Sequence, residues 1–305
     1  MLPYFRLIRF PNLLIIALSQ LLIRYCLILP AFRAEYFITG NFPQHLSDIN
    51  FFLLMLSSLL LASAGYIIND YFDIHIDETN RPGKNIVGKK ISKKNAKNIY
   101  FLLSLAGICI GFYLSIKIER PSFGFIHLFT AASLWMYSSY YKRKLLSGNI
   151  IVSILCALSL LIVGLYEPEF YRNIIYLTWY AILAFLTTLI REIIKDMEDI
   201  DGDKMSQCKT LPIILGIPRT KLIVQLLIVL TLAYVAWVLK TNFYANKVLS
   251  VWYLLAFLSI PFIALSYLIF TANEKKDFYF AGLYSKILIV AGILTILPFW
   301  YYFIR

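Results

Sequence analysis

The amino-acid sequence predicts an all-α protein that crosses a membrane many times, as a polytopic bundle of about nine helices. Of its 305 residues, 60% are hydrophobic and only 15% are charged, which is too little polar surface for a soluble domain of this length. The mean hydropathy is +0.72. Several windows of about 20 residues are nearly free of charge, which is the length that a helix needs to cross the hydrocarbon of a bilayer. A closed β-barrel would alternate apolar and polar residues instead, so the spans are predicted to be helices.

The predicted spans follow one another along the whole chain. The first one continues past the usual apolar length of a signal peptide and has no small-residue cleavage site, so it is taken as a span. The order of the spans allows two four-helix halves followed by a ninth helix, and residues 1–305 are predicted to form a single domain. The predicted spans are roughly 11–32, 50–70, 98–117, 122–140, 150–166, 173–195, 221–240, 249–270 and 283–303.

The distribution of basic residues predicts the orientation in the membrane. Most of the 29 lysines and arginines fall in the segments that share a side with the N-terminus. Because positive charge stays on the cytoplasmic side, we expect a cytoplasmic N-terminus in a protein of the cell (inner) membrane. Topology thus accounts for the net charge of +12 without a nucleic-acid partner, and no pattern indicates an obligate protein partner.

Acidic residues are concentrated at two places. Four of the 17 lie at positions 70–78 and six at positions 192–203, at the cytoplasmic ends of the second and sixth predicted spans. A single acid at such a place is usually only a solvated helix end. Two clusters on one side of a membrane favour a functional site instead.

Helical spacing brings the acids of each cluster onto one face. In "NDYFDIHID", Asn69, Asp73 and Asp77 follow at intervals of four residues, and "REIIKDMEDIDGDK" repeats the pattern with four acids. Like charges at this spacing repel, so a shared cation is expected between the two faces. Hard oxygen ligands of this kind suit Mg²⁺, which prefers a few carboxylates together with substrate phosphate oxygens. The acids of the second face are Glu192, Asp196, Asp199 and Asp203.

The second cluster does not fit a calcium-binding EF-hand loop. In "DIDGDK", Gly202 falls at the fourth position instead of the sixth, and Thr210 stands where the bidentate glutamate belongs. This interpretation is rejected.

Cationic and phenolic side chains beside both clusters are candidate contacts for a metal-bound diphosphate. Arg191 is distinctive because it lies inside an apolar stretch, where a charge is costly and is normally paired. The other candidates flank the clusters and are Arg81, Tyr137, Tyr140, Lys142, Arg143 and Lys209.

The two acidic motifs resemble those of the UbiA superfamily of intramembrane prenyltransferases. "NDYFDIHID" matches its NDxxDxxxD motif and "DIDGD" its DxxxD motif; "RFPNLL", "YSSYYKR…GN" and "KTLP" extend the resemblance along most of the chain. Within the superfamily, "REIIKDMEDIDGDK…KTLP" is most similar to the branch that makes digeranylgeranylglyceryl phosphate. That branch usually carries "RPxPSG" where this chain reads "RPGKNIVGKK", which leaves the acceptor open.

The resemblance implies a UbiA-like helix bundle with a central cavity that opens on the cytoplasmic side. It implies that Mg²⁺ is held by Asn69, Asp73, Asp199 and Asp203, with Asp77 and Asp196 close by, and binds the diphosphate of a polyprenyl donor, geranylgeranyl in the lipid branch. Asp73, Asp199, Arg191 and Lys142 are the expected catalytic residues. Arg81, Tyr140, Lys142 and Lys209 are the expected diphosphate contacts.

The acceptor and two other functions stay open. In the lipid branch the acceptor is the hydroxyl of a prenylglyceryl phosphate, and in the quinone branch it is a ring carbon of 4-hydroxybenzoate or dihydroxynaphthoate. A terpene cyclase on the same scaffold would ionise the same donor. A cation-coupled transporter would place its carboxylates near the bilayer midplane on broken helices, whereas these lie at span ends.

Overall fold

The computed structural model describes residues 2–40, 45–74, 76, 78, 85–169, 174–243, 255–297 and 300–301, and in these residues the chain is almost entirely helical. We number the α-helices in chain order. They are α1 (Leu2–Leu7), α2 (Phe10–Leu22), α3 (Leu29–Thr39), α4 (Asp48–Phe72), α5 (Lys93–Lys117), α6 (Gly124–Ser139), α7 (Ser147–Leu165), α8 (Ile174–Glu198), α9 (Ile200–Met205), α10 (Leu211–Leu215), α11 (Ile217–Phe243), α12 (Ile260–Thr271) and α13 (Lys275–Leu294).

Seven of the described helical segments are long and apolar enough to cross a membrane, which makes the chain a multi-pass integral membrane protein. They are Phe10–Arg33, Asp48–Phe72, Lys93–Lys117, Ser147–Leu165, Ile174–Glu198, Ile217–Lys240 and Lys275–Leu294.

The prediction of helical spans is confirmed, whereas their number, nine, stays a prediction. The two remaining predicted spans coincide with shorter apolar helices. Helix α6 has 16 residues, and the apolar segment Ala256–Thr271 includes α12. The part of the eighth predicted span that precedes residue 255 lies outside the described residues.

Helix α8 is central to the packing that forms the site. It packs against α7 on one side and against α13 and α11 on the other. A large apolar cluster, which includes Ile190, Ile194 and Phe262, lies between α8 and the helices that follow it. Through these contacts, the end of α8 that carries the second acidic motif is fixed within the bundle.

Close approach of α5 to α6 depends on a glycine. A Cβ atom added at Gly111 would lie only 2.2 Å from the ring of His127, so only glycine admits the imidazole here. His127 is fully enclosed; its Nδ1 lies 2.8 Å from Ser57 Oγ and its Nε2 lies 3.0 Å from Tyr166 Oη. These contacts satisfy both ring nitrogens deep in the bundle.

A buried ion pair joins distant parts of the chain. Arg24, in the π-helical turn Ile23–Ile28, pairs with Glu167, and neither side chain is exposed to solvent. The Leu46 amide donates to Glu167 Oε2 at 2.8 Å, and the Leu46 carbonyl accepts from Arg24. The guanidinium also lies over the ring of Phe51, 5.0 Å from its centroid. This cluster therefore connects the first two spans to the end of α7.

We expect Glu167→Ala to lower the free energy of unfolding by about 3–5 kcal/mol, because it leaves the buried Arg24 guanidinium with only the exposed Asp48 carboxylate, 3.6 Å away, as an acidic partner. The measurement is a denaturation midpoint in detergent micelles with increasing SDS. Glu169→Ala, which removes an exposed carboxylate nearby, is the matched control and should change the midpoint little.

Replacing both partners by apolar residues, Arg24→Met with Glu167→Leu, should recover most of the stability that Glu167→Ala loses. If Glu167→Ala were as stable as the wild type, the ion pair would not contribute to folding.

Candidate active site

A cavity of about 290 Å³ lies among α2, α4, α6, α7, α8 and α13. Most of its wall is apolar, and its deep end is closed by His127, Tyr180 and Ile296. Its other end is polar and lies beside both acidic motifs. The polar lining residues at that end are Arg9, Asn12, Asn69, Tyr137, Arg191, Glu192, Lys195 and Lys286.

The first acidic motif begins where α4 ends. Asp73 is the C-cap residue, and its backbone N–H donates to the Asn69 carbonyl at 3.0 Å. The Asn69 amide Nδ2 also donates to Asp73 Oδ2 at 2.7 Å, and both side chains are buried. The predicted stacking of Asn69 and Asp73 is thus present. Asp77 and Arg81 lie outside the described residues.

Lys142 reaches the first motif from the 3₁₀ turn Tyr141–Arg143, which follows α6. Its ammonium group pairs with Asp73 and lies 3.4 Å from Asn69 Oδ1. The turn lies close against the start of α7, because a Cβ at Gly148 would come within 2.9 Å of the Lys142 Cα. Glycine at this position therefore allows the lysine to reach Asp73.

The second motif is divided between two helices. Helix α8 ends at Glu198, Asp199 is the N-cap residue of α9, and Asp203 lies buried in α9. Asp196 accepts a hydrogen bond of 2.8 Å from Asn149 Nδ2 of α7. The predicted single face over four acids is therefore interrupted, because the helix breaks at Asp199, where φ is −94° and ψ is 10°.

The charges of the two motifs act on one another. Burial raises the pKa of Asp203 to about 6. The negative charges of Asp199 and Asp73 act in the same direction, and Lys142 opposes them. The structure therefore brings both motifs and Lys142 into one electrostatic neighbourhood, as the sequence predicts for two opposed acidic faces.

The remaining predicted residues occupy different positions. Arg191 lines the cavity and pairs with Glu192, the next residue along α8. Lys209 is exposed, but its backbone N–H donates to the Arg143 carbonyl at 2.9 Å and connects the second motif to the lysine turn. Tyr140 is 54% exposed and does not line the cavity; its ring contacts the Lys144 ammonium. Tyr137, one helical turn earlier, lines the polar end instead.

The donor atoms fit a hard divalent cation. They are carboxylate and amide oxygens. They lie close enough together that burial and the neighbouring negative charges disfavour ionisation of Asp203. Among the described residues, no three His, Cys, Asp or Glu side chains are grouped closely enough to hold a metal ion by themselves. Mg²⁺ does not require such a group, because it is commonly held by one or two carboxylates together with substrate phosphates and water.

Two features of the site lie outside the acidic motifs. Asn149 ends the stretch "YSSYYKR…GN", and only the folded packing shows that it positions Asp196 from a different helix. Lys286 lines the polar end from α13. The sequence does indicate Lys286, because it is a single cation inside an apolar span and a charge at such a place is costly and therefore unusual.

Comparison with known proteins agrees with this architecture. Residues 27–288 match the UbiA prenyltransferase family. The digeranylgeranylglyceryl phosphate synthase of Saccharolobus solfataricus is 34% identical over 249 residues, which are 80% of this chain and 83% of the relative. The synthase of the same name from Methanosphaera stadtmanae is 31% identical over 80% of this chain and 85% of the relative.

A solved structure shares the fold. A UbiA homolog from Archaeoglobus fulgidus bound to GPP and Mg²⁺ superimposes with a TM-score of 0.57 at 17% identity, over 96% of this chain and 99% of that one. Together with the sequence match over most of the chain, this establishes the family. The chain belongs to the UbiA prenyltransferase family and is a prenyltransferase.

Proposed function

We propose that the protein transfers a geranylgeranyl group from its diphosphate to the hydroxyl of a prenylglyceryl phosphate lipid, in a reaction that depends on Mg²⁺. The observation that carries this proposal is the convergence of both acidic motifs on Lys142 at the polar end of an otherwise apolar cavity. The names of the 34% and 31% identical relatives support the lipid acceptor.

The proposed metal ligands are the oxygens of the two motifs. Mg²⁺, when bound there, would supply positive charge that stabilises the diphosphate as a leaving group. The solved relative that binds GPP and Mg²⁺ supports this assignment. The residues proposed to hold Mg²⁺ are Asn69, Asp73, Asp199 and Asp203; Asp196 and Asp77 remain expected from the resemblance, and Asp77 lies outside the described residues.

Basic side chains bear the rest of the diphosphate charge. Lys142 contacts Asp73 and Asn69 and is placed to meet the diphosphate beside them. Arg191 lines the cavity. Lys209, Arg81 and Tyr140 remain proposed contacts at the mouth of the site. As the C–O bond to the diphosphate breaks, the negative charge that develops on oxygen is met by these preorganised donors.

The apolar part of the cavity would receive the prenyl chain. Its wall excludes water from the allylic carbon, so that the acceptor hydroxyl attacks instead of water. A new C–O bond forms to the acceptor oxygen, and the hydroxyl proton is released. Holding the hydroxyl in line with the allylic carbon compensates for the weak nucleophilicity of an alcohol.

The membrane placement is part of the proposal. We place the N-terminus and the polar end of the cavity on the cytoplasmic side of the cell membrane, because the basic residues lie mostly on that side. We also treat residues 1–305 as one domain, in which two four-helix halves and a ninth helix surround the cavity.

Competition between acceptors tests the function. Purified protein receives Mg²⁺, limiting geranylgeranyl diphosphate and equal amounts of geranylgeranylglyceryl phosphate, 4-hydroxybenzoate and dihydroxynaphthoate, and mass spectrometry identifies the products. We expect the ether lipid to dominate, because the polar end of the cavity offers several cations to a phosphate. A dominant C-prenylated aromatic product would refute the lipid acceptor. A hydrocarbon formed from the donor alone would instead identify a cyclase.

A further inference from the structure

Three cations that do not belong to the acidic motifs converge on one part of the cavity wall. Arg9 comes from the start of α2, Arg191 from α8 and Lys286 from α13, and all three line the polar end. The charges of Arg9 and Arg191 both act on Lys286, which places the three groups within electrostatic reach of one another. We call this set the basic triad.

The position of Lys286 is costly without an anion. It follows Lys275, the first residue of α13, by eleven residues, so it lies about 16 Å along a helix that is long and apolar enough to span the membrane. No acidic side chain of the described residues forms an ion pair with it. A charge within a membrane-spanning helix is rare and usually marks a functional site.

The two arginines of the triad are already held by acids of their own. Arg9 pairs with Asp70 at 2.9 Å, and Arg191 pairs with Glu192. Lys286 therefore adds a positive charge that the neighbouring acids leave uncompensated. A bound anion would supply the missing charge.

The backbone at Arg9 is consistent with a role for its side chain in the site. Its φ of 50° and ψ of 53° are left-handed, and a non-glycine residue rarely adopts this conformation. Backbone strain from a left-handed non-glycine residue is found at ligand sites, where a side chain must be held in one direction. Here the guanidinium lies over the ring of Tyr66, 5.1 Å from its centroid, at the edge of the cavity.

The triad borders the acidic motifs through Asp70 and Glu192, whereas other cations face the acids proposed to hold the metal. Lys142 pairs with Asp73, and the charge of Lys195 acts on Asp196 and Asp203. The triad still borders the same cavity, because Asp70, the partner of Arg9, is next to Asn69 in the chain. An anion held by the triad would therefore lie beside a diphosphate held by the motifs.

We propose that Arg9, Arg191 and Lys286 bind the phosphate monoester of the lipid acceptor beside the donor diphosphate, with Arg191 shared between the two sites. This inference rests on the proposed function. A phosphate monoester carries about two negative charges near neutral pH and offers three acceptor oxygens, which matches three convergent donors. An aromatic carboxylate carries one charge and two oxygens, so the triad favours the lipid.

The test measures acceptor binding without turnover. Wild-type protein and Lys286→Met, in detergent with EDTA and no donor, are titrated with geranylgeranylglyceryl phosphate and with geranylgeranylglycerol, which lacks the phosphate. Methionine keeps the long side chain and removes a charge from a span, so the variant should fold. A separate titration with geranylgeranyl diphosphate and Mg²⁺ measures donor binding.

We expect Lys286→Met to raise the Kd for the phosphate lipid about ten- to hundredfold, as loss of a charge-assisted contact does. The Kd values for the unphosphorylated lipid and for the donor should not change. Lys286→Arg should restore part of the affinity. Lys275→Met, which removes an exposed lysine from the same helix, should bind as the wild type does.

The outcomes separate this inference from the proposed function. A wild type that binds neither lipid would refute the lipid acceptor and the triad site together. A wild type that prefers the phosphate lipid, with an unchanged Lys286→Met, would refute the triad site alone. If the variant instead lost affinity for the donor, Lys286 would belong to the diphosphate site.

Discussion

Replacing Asp73 by Asn is expected to remove nearly all prenyl transfer, on the order of a thousandfold in rate, while the protein still inserts and purifies. Asp73 is buried at the C-cap of α4 and is contacted by Asn69 and Lys142. Asparagine has the same shape but lacks the charge that holds the lysine and a metal. Asp199→Asn, at the junction of α8 and α9, should have an effect of similar size.

The matched control lies inside the second motif. Asp201 is exposed, whereas Asp203, two residues later, is buried. Asp201→Asn therefore removes one negative charge, as Asp73→Asn does, but from a side chain that faces solvent. Single-turnover rates with saturating acceptor measure the chemical step for all variants. Equal rates for Asp73→Asn and Asp201→Asn would show that the site lies elsewhere.

Local spacing predicts the parts of the site that lie within one helix. Asn69 and Asp73 are four residues apart and bond directly, as a helical face requires. The same argument holds only partly for the second motif, because it assumes that the helix continues. The chain breaks at Asp199 instead, and Asp203 reaches its buried position from the short helix α9.

Contacts between helices could not be predicted from the sequence. Asn149 with Asp196, Lys142 with Asp73 and Arg24 with Glu167 are each separated by more than 40 residues. Such pairs depend on which helix faces meet, and hydrophobic patterning says little about this when nearly every residue of a span is apolar. Gly148 is a clear example: it belongs to the stretch "YSSYYKR…GN", but the physical reason for a glycine there follows only from the approach of the turn at Lys142.

Removal of divalent metal is expected to abolish activity completely and reversibly. With EDTA, the carboxylates of Asp73, Asp199 and Asp203 would face the diphosphate without a divalent cation to neutralise them, so like charge would oppose donor binding. Added Mg²⁺ should restore the full rate. The assay is product formation from geranylgeranyl diphosphate and the lipid acceptor, across a titration of free Mg²⁺.

Two further measurements assign the loss to the site. The denaturation midpoint of the unliganded protein should change little with EDTA, because the fold is held by apolar helix packing and by the Arg24–Glu167 pair, neither of which uses the carboxylates of the motifs. The Mg²⁺ concentration for half-maximal rate should rise in Asn69→Ala, which removes one proposed ligand, and stay unchanged in Asp201→Asn. Full turnover in metal-free buffer would leave Lys142 and Arg191 as the agents of diphosphate departure and would overturn the metal assignment. Lys142 and Arg191 already pair with Asp73 and Glu192, so they would then have to neutralise the donor as well as these acids, and this charge balance argues for the metal.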